Sequence, residues 1–298
     1  MSAAPLPLPP GVRLETGPGG LPQLTVQNAL SRARIALQGA QLLSFQPHGQ
    51  PDWLFLSPRA RFQPGQAVRG GVPVCWPWFG PDPDGRGRPA HGFARQSLWA
   101  LREAAHEADG STRLAFVLRD DAATRALWPH AFELLLVMHL GQSLRLTLST
   151  RNTGDAPLRF TEALHSYFAV EHIEGAQVLG LERSAYLDQV PGAAPRGEAS
   201  GAPLRFEGRL DRVYLRPADT LQLLGAPAAR TLSLRSEGSR HAVVWNPGAA
   251  LAAEMADLGP GAHQGFACVE TANTGEAAIT LAPGESHRLQ LDVAAHPA

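Results

Sequence analysis

Two runs of this chain set a titratable side chain inside an apolar segment. In Thr161–Val170, TEALHSYFAV, it is His165; in Gly265–Asn273, GFACVETAN, it is Glu270. Strand alternation puts Thr161, Ala163, His165, Tyr167 and Ala169 on one face, and Phe160, Glu162, Leu164, Phe168 and Val170 on the other. Small and polar neighbours leave room above the His165 ring, whereas a core histidine is usually enclosed by bulky side chains. A structural histidine with satisfied hydrogen bonds is the competing reading. Glu270 closes a short apolar run, with Asn273 just beyond it. A carboxylate at the mouth of a buried strand has its pKa raised by desolvation, as a general base working near neutrality requires. A solvated strand-end glutamate is the alternative.

A third stretch, Arg69–Trp99, carries fixed cations and aromatic walls. Arg69 precedes Gly70 and Gly71, which predicts close approach of backbone to a ligand. Arg95 closes the run His91-Gly92-Phe93-Ala94-Arg95. Two guanidinium forks beside one loop suit a phosphate or a sugar carboxylate, because each donates two parallel charge-assisted hydrogen bonds. Pairing of both arginines with acidic surface neighbours remains open. Trp76, Trp78, Phe79 and Trp99 either stack on a sugar face or fill the core, and core is the reading their type favours.

The elements that must hold these residues are strands. With 298 residues, 44% hydrophobic and 18% charged, the chain can bury a large core. Its formal net charge of -1 supplies no global field for nucleic acid or an anionic membrane, so an anion must be captured locally. The chain has no lysine; all 26 basic residues are arginine, which excludes a Schiff base or a Walker-A lysine. Cys75 and Cys268 read as free buried thiols. The histidines at 91, 165, 241, 263 and 287 show neither H-x-H nor H-E-x-x-H spacing, so no metal site is expected. Gly85–Ala90 fits G-x-G-x-x-A only formally, since Pro89 interrupts it and no βαβ unit surrounds it. There is no G-x-S-x-G elbow. The first residues carry no signal-peptide pattern and no window reaches 18 apolar residues, which predicts a cytoplasmic protein.

Short β-type runs punctuated by turns dominate from residue 21 onward. Strands are expected at 24–26, 32–37, 113–118, 132–140, 143–150, 158–169, 220–224, 231–235, 242–245, 265–270 and 286–293, with 132–140 and 143–150 joined by the two-residue turn Gly141-Gln142. Modest helices are expected at 120–127 and 251–258. So many strands without intervening helices exclude a parallel βαβ sheet and leave antiparallel sheets packed face to face. The expectation is an all-β protein: a loosely held segment over 1–20, then one large antiparallel β-sandwich over 21–298.

Taken in order, these stretches resemble the D-hexose-6-phosphate mutarotases, the glucose-6-phosphate 1-epimerase branch of the aldose 1-epimerase superfamily. The matching pieces are RGGVPVCWPWFG, PAHGFAR with Trp99, TEALHSYF, DRVYL at Asp211–Leu215, VVWNP at Val243–Pro247, CVETAN and LAPGESH at Leu281–His287. The resemblance implies a β-sandwich of the galactose mutarotase-like type with a sugar site on a concave face. It implies that a cofactor-free monomer interconverts the α and β anomers of a hexose 6-phosphate. Catalysis then falls on His165 as acid and Glu270 as base, and substrate contacts fall on Arg69, Arg95 and Asp211, with His91 lining the same loop. Gly248 and Thr271 depart from the W-N-P-W and C-V-E-P that relatives commonly carry, and are expected at the site rim. A mutarotase for unphosphorylated aldoses and a non-catalytic sugar-phosphate-binding module stay open. A glycosidase needs two carboxylates across the scissile bond, and alternation turns Glu162 away from the His165 face.

Overall fold

Long runs in which every second residue is apolar make sheets with one face for the core. Phe132–Leu140 buries Phe132, Leu134, Leu136, Met138 and Leu140, and its neighbour Leu144–Asn152 buries Leu144, Leu146 and Leu148 in the same phase. The computed structural model describes residues 6–297. These two strands are central to a nine-stranded sheet that runs, edge to edge, through 204–205, 177–179, 220–226, 230–237, 286–297, 144–152, 132–140, 112–119 and 100–106. An eight-stranded sheet orders its strands 196–198, 185–188, 210–215, 241–246, 266–273, 162–164 and 74–75, with 167–169 also pairing 266–273. A four-stranded sheet (12–16, 22–27, 31–36, 41–47) and a short pair (158–160 with 279–281) complete the architecture. Every pairing between these strands is antiparallel. The all-β, antiparallel sandwich expected from the sequence is therefore the fold.

The two large sheets share one core. Leu164, Phe168, Val244 and Val269 from the eight-stranded sheet belong to the same buried cluster as Leu136, Leu148, Leu232 and Leu291 from the nine-stranded sheet. The other face of the eight-stranded sheet carries different residues. Cys75, Ala163, Val213, Val243 and Ala272 form a small-residue cluster there, and Tyr167, Phe266 and Cys268 join a second one. This face holds the titratable groups singled out above.

Several boundaries differ from expectation. The hairpin after Leu140 pairs Leu140 with Leu144, so its loop has three residues, closed by Gly141 N–H donating to Ser143 O. The run 158–169 is divided into 158–160, 162–164 and 167–169, because the chain around His165 and Ser166 bonds outside the regular ladder. The segment expected to be loose contains the strand Val12–Thr16, paired with Pro22–Gln27, and residues 1–5 lie outside the described part. The first helix, Ala122–Leu127, starts from a capping box in which Asp121 accepts from Thr124 N–H at 2.7 Å. The second spans Gly248–Glu254, three residues early, because Asn246 Oδ1 accepts from Gly248 N–H at 2.9 Å and turns the chain there.

The loop that carries His91 is pinned by backbone. Gly92 bridges to Trp76, and Phe93 and Ala94 both donate to Trp76 O. Gly92 has φ 72°, and a Cβ on it would run into Trp76 O. Gly92→Ala is therefore expected to lower stability by more than about 1 kcal/mol. A urea denaturation midpoint equal to that of the unsubstituted protein would contradict this.

Candidate active site

Register assembles the site. Ala163 faces Ala272, Leu164 faces Thr271 and Tyr167 faces Cys268, so the ladder passes through 165 without slipping and sets His165 opposite Glu270. Across the sheet Glu270 faces Val243, which faces Val213. One row further along, Tyr167, Cys268, Trp245 and Asp211 follow one another. On the other side, His165 N–H donates to Pro73 O and Tyr167 N–H to Gly71 O, which stitches the Arg69 segment to the same strand. Four distant stretches of sequence meet on one face.

His165 Nε2 lies 3.4 Å from Glu270 Oε1. Both residues are buried, at 7% and 2% exposure. His165 Nδ1 and Glu270 Oε2 are buried with no hydrogen-bond partner. Burial pushes the Glu270 carboxyl well above its usual range; Asp211 adds to this, and Arg95 opposes it. Burial pushes the His165 imidazole well below its usual range, helped by His91, Arg95 and Arg69. Burial therefore disfavours the charged form of both groups. Glu270 is not the solvated strand-end residue that the competing reading described. Its strand continues through Thr271, Ala272 and Asn273, all buried.

The surroundings of His165 also differ from expectation. Its ring stacks on Tyr167, with centroids 4.8 Å apart and planes 7° apart, and His91 and Trp245 meet it edge-on at 5.8 and 6.2 Å. Aromatic rings enclose it where room had been expected. His91 Nδ1 accepts from Gly80 N–H at 3.3 Å, leaving Nε2 to carry the proton. Burial and the two nearby arginines push His91 down to about 3, so this ring is a neutral donor. Phe79 packs against it at 4.8 Å.

The two arginines are not equivalent. Arg69 Nε and Nη2 both reach Asp257 Oδ2 at 3.1 Å, and Nη1 donates to Tyr167 Oη at 2.9 Å. Arg95 forms no ion pair among the described residues; Nη2 donates to Ala90 O at 2.9 Å and Nε is buried without a partner. Both act on His91 and His165. Asp211 is half-buried on the same face, its carboxyl pushed up to about 6 chiefly by burial.

Three expectations need correcting. Gly70 and Gly71 make room for the protein's own backbone: a Cβ at Gly70 would meet Leu56 Cα at 2.7 Å, and one at Gly71 would meet Leu42 O. Thr271 faces the interior, bonded to Ser236 Oγ at 2.8 Å, and does not reach the rim. Gly248, buried at φ 66°, packs where a Cβ would meet Arg209 N at 2.7 Å, so a larger residue needs a different chain path there. Trp76, Trp78 and Trp99 are core residues, as their type favoured. Glu162 lies on the opposite face as expected, fully buried and paired with His287 Nε2 at 3.0 Å. Tyr167, Trp245 and Asp257 were missed. The period-2 pattern already placed Tyr167 beside His165.

A family model described as aldose 1-epimerase matches residues 22–294, and the chain belongs to that family, a family of isomerases. A relative from Salmonella typhimurium, provisionally named glucose-6-phosphate 1-epimerase, is 40% identical over 83% of this chain and 82% of its own length. One from Cenchrus ciliaris with the same provisional name is 35% identical over 97% of this chain and 89% of its own. The solved structure of a provisionally named mutarotase from Salmonella typhimurium superposes with a TM-score of 0.91 at 34% identity, covering 99% of this chain and 97% of that one. A galactose 1-epimerase from Lactobacillus acidophilus shares the fold, with a TM-score of 0.71 at 16% identity.

The raised Glu270 pKa has a stability consequence. The folded state holds a proton that the unfolded state releases above about pH 4.3, so stability is lost as pH rises from there through the folded pKa. Glu270→Gln removes that loss. Its melting temperature is expected to exceed the unsubstituted protein's at pH 7–8, with the gap closing toward pH 4. A constant gap across this range would contradict the burial argument.

Proposed function

We propose that this chain interconverts the α and β anomers of hexose 6-phosphates by general acid–base opening and closing of the sugar ring. The observation that carries the reading is the buried His165–Glu270 pair, 3.4 Å apart, with a partnerless nitrogen and oxygen beside two arginines. The Glu270 carboxylate takes the proton of the anomeric hydroxyl while protonated His165 gives one to the ring oxygen. The C1–ring-oxygen bond breaks and leaves the open-chain aldehyde, with Glu270 protonated and His165 neutral. After rotation about C1–C2 the transfers reverse, and the ring closes on the other face. One proton on the pair serves both directions, and burial favours the distribution that accompanies the open chain. Positioned acid–base groups supply about 10²–10⁴-fold, sufficient for a reaction that water already performs unaided.

The phosphate is assigned to the arginine side of the face. Among the described residues Arg95 has no carboxylate to satisfy it, whereas Arg69 is already shared between Asp257 and Tyr167. His91 Nε2–H and Asp211 are assigned to sugar hydroxyls, one as donor and one chiefly as acceptor. The provisional names of the two relatives support the phosphorylated substrate.

Magnetization-exchange NMR of glucose 6-phosphate tests the reading. The protein should accelerate anomer exchange, and Glu270→Gln and His165→Asn should each lose about 10²-fold or more. Full activity in both variants would remove the assignment. Arg95→Gln should cost phosphorylated sugar at least tenfold more than free glucose, an ordinary loss for one charge-assisted contact. Equal losses on the two sugars would point to unphosphorylated aldoses. Saturable binding without exchange would mean a binding module.

The pH dependence follows from the same pair. Corrected for the substrate phosphate's own ionisation, kcat/KM should form a bell around neutrality. The acid limb lies below the usual imidazole value because His165 is lowered; the alkaline limb lies above the usual carboxylate range because Glu270 is raised. An acid limb at an ordinary histidine value, about 6.5, would contradict the assignment.

A further inference from the structure

A catalytic imidazole normally has its ring fixed by a hydrogen bond at the nitrogen that does not face the reaction. His165 has no such bond: Nδ1 is buried with no partner, and Nε2 sits 3.4 Å from Glu270. What does contact the ring is the face of Tyr167, parallel within 7° at 4.8 Å. Tyr167 is itself held fast. Its ring is 2% exposed and wedged by Phe266 at 5.3 Å and Trp245 at 6.1 Å. Its hydroxyl accepts from Arg69 Nη1 at 2.9 Å, and Arg69 is tied by two further contacts to Asp257 Oδ2. A chain of contact, Asp257–Arg69–Tyr167–His165, runs through the face.

We propose that Tyr167 is the positioning residue of His165, orienting the imidazole by its ring face in place of a hydrogen bond, with Phe266 and Trp245 wedging the Tyr167 ring. Losing the Tyr167 face frees rotation about the His165 side-chain torsions and lowers the fraction of molecules in which Nε2 meets Glu270. That is a loss of turnover, because the sugar's own contacts are elsewhere on the face. The proposal rests on the acid–base role given to His165 above, but one arm of its test does not.

Tyr167→Leu removes the ring face and Tyr167→Phe keeps it while removing the tie to Arg69. On glucose 6-phosphate exchange, Tyr167→Leu should lower kcat by about 10–100-fold with KM within about twofold, the scale of a catalytic group displaced by a fraction of an ångström to one ångström. Tyr167→Phe should keep most of kcat. In the free protein, the His165 ring 15N signals should stay sharp and single in Tyr167→Phe and become averaged in Tyr167→Leu. That spectroscopic arm needs no activity, so an inactive parent protein would remove the functional reading while leaving the positioning claim to be decided by the His165 signals. Unchanged kcat in a folded Tyr167→Leu, or unchanged His165 signals, would overturn the proposal. So would a Tyr167→Phe loss as large as that expected of Tyr167→Leu, which also keeps the test decisive if Tyr167→Leu does not fold.

Discussion

The face that carries His165 and Glu270 depends on a ladder that does not slip. Residues 161–169 and 266–273 keep one antiparallel register from Glu162 opposite Asn273 to Ala169 opposite Phe266, even though the regular pairing is interrupted at His165 and Ser166. Because side chains alternate, a shift of one residue would turn Glu270 into the interior and bring Val269 or Thr271 to the site. Buried polar groups hold the register at one end. Asn273 Nδ2 donates to Glu162 Oε1 at 3.1 Å and to Gly238 O at 2.9 Å, and Asn273 Oδ1 accepts from Arg240 N–H at 3.0 Å. His287 Nε2 reaches the same Glu162 oxygen at 3.0 Å. A slip would strip several buried groups of their partners at once, which is why such a network specifies one pairing.

Burial then does the chemical tuning. Small residues on the site side of the sheet, Ala163, Ala272, Cys75 and Val243, bring the pair close to the sheet's own surface, and aromatic rings shut out water around it. The same exclusion drives Glu270 up and His165 down, so both groups are biased toward their neutral forms. The arrangement costs stability, since Glu270 Oε2 and His165 Nδ1 forgo hydrogen bonds that water would give them in the unfolded chain. Sites that carry such costs are where function competes with folding.

Much of this was legible in the residues. Alternation in TEALHSYFAV assigned His165 and Glu162 to opposite faces, and both lie there. The same pattern put Tyr167 beside His165, although alternation does not specify that the two rings stack. Reading the strand as ending at Glu270 failed for a definable reason: Thr271 and Asn273 look like a polar exit, yet each finds a buried partner, in Ser236 and in Glu162. The glycines after Arg69 suggested a ligand because sequence cannot distinguish a close approach to substrate from one to the chain's own backbone. Asp257 gave no signal, since it follows the helix Gly248–Glu254 in irregular chain and meets Arg69 only through the tertiary fold.

The central claim is that burial holds the Glu270 carboxyl well above the usual carboxylate range and the His165 imidazole well below its own. The carboxyl carbon of Glu270, followed by 13C NMR through a pH titration of the free protein and assigned by its loss in Glu270→Gln, measures this directly. The account predicts a carboxyl that ionises only well above the usual carboxylate range. A carboxylate already ionised at pH 7, titrating near the ordinary glutamate value of about 4.3, would contradict it.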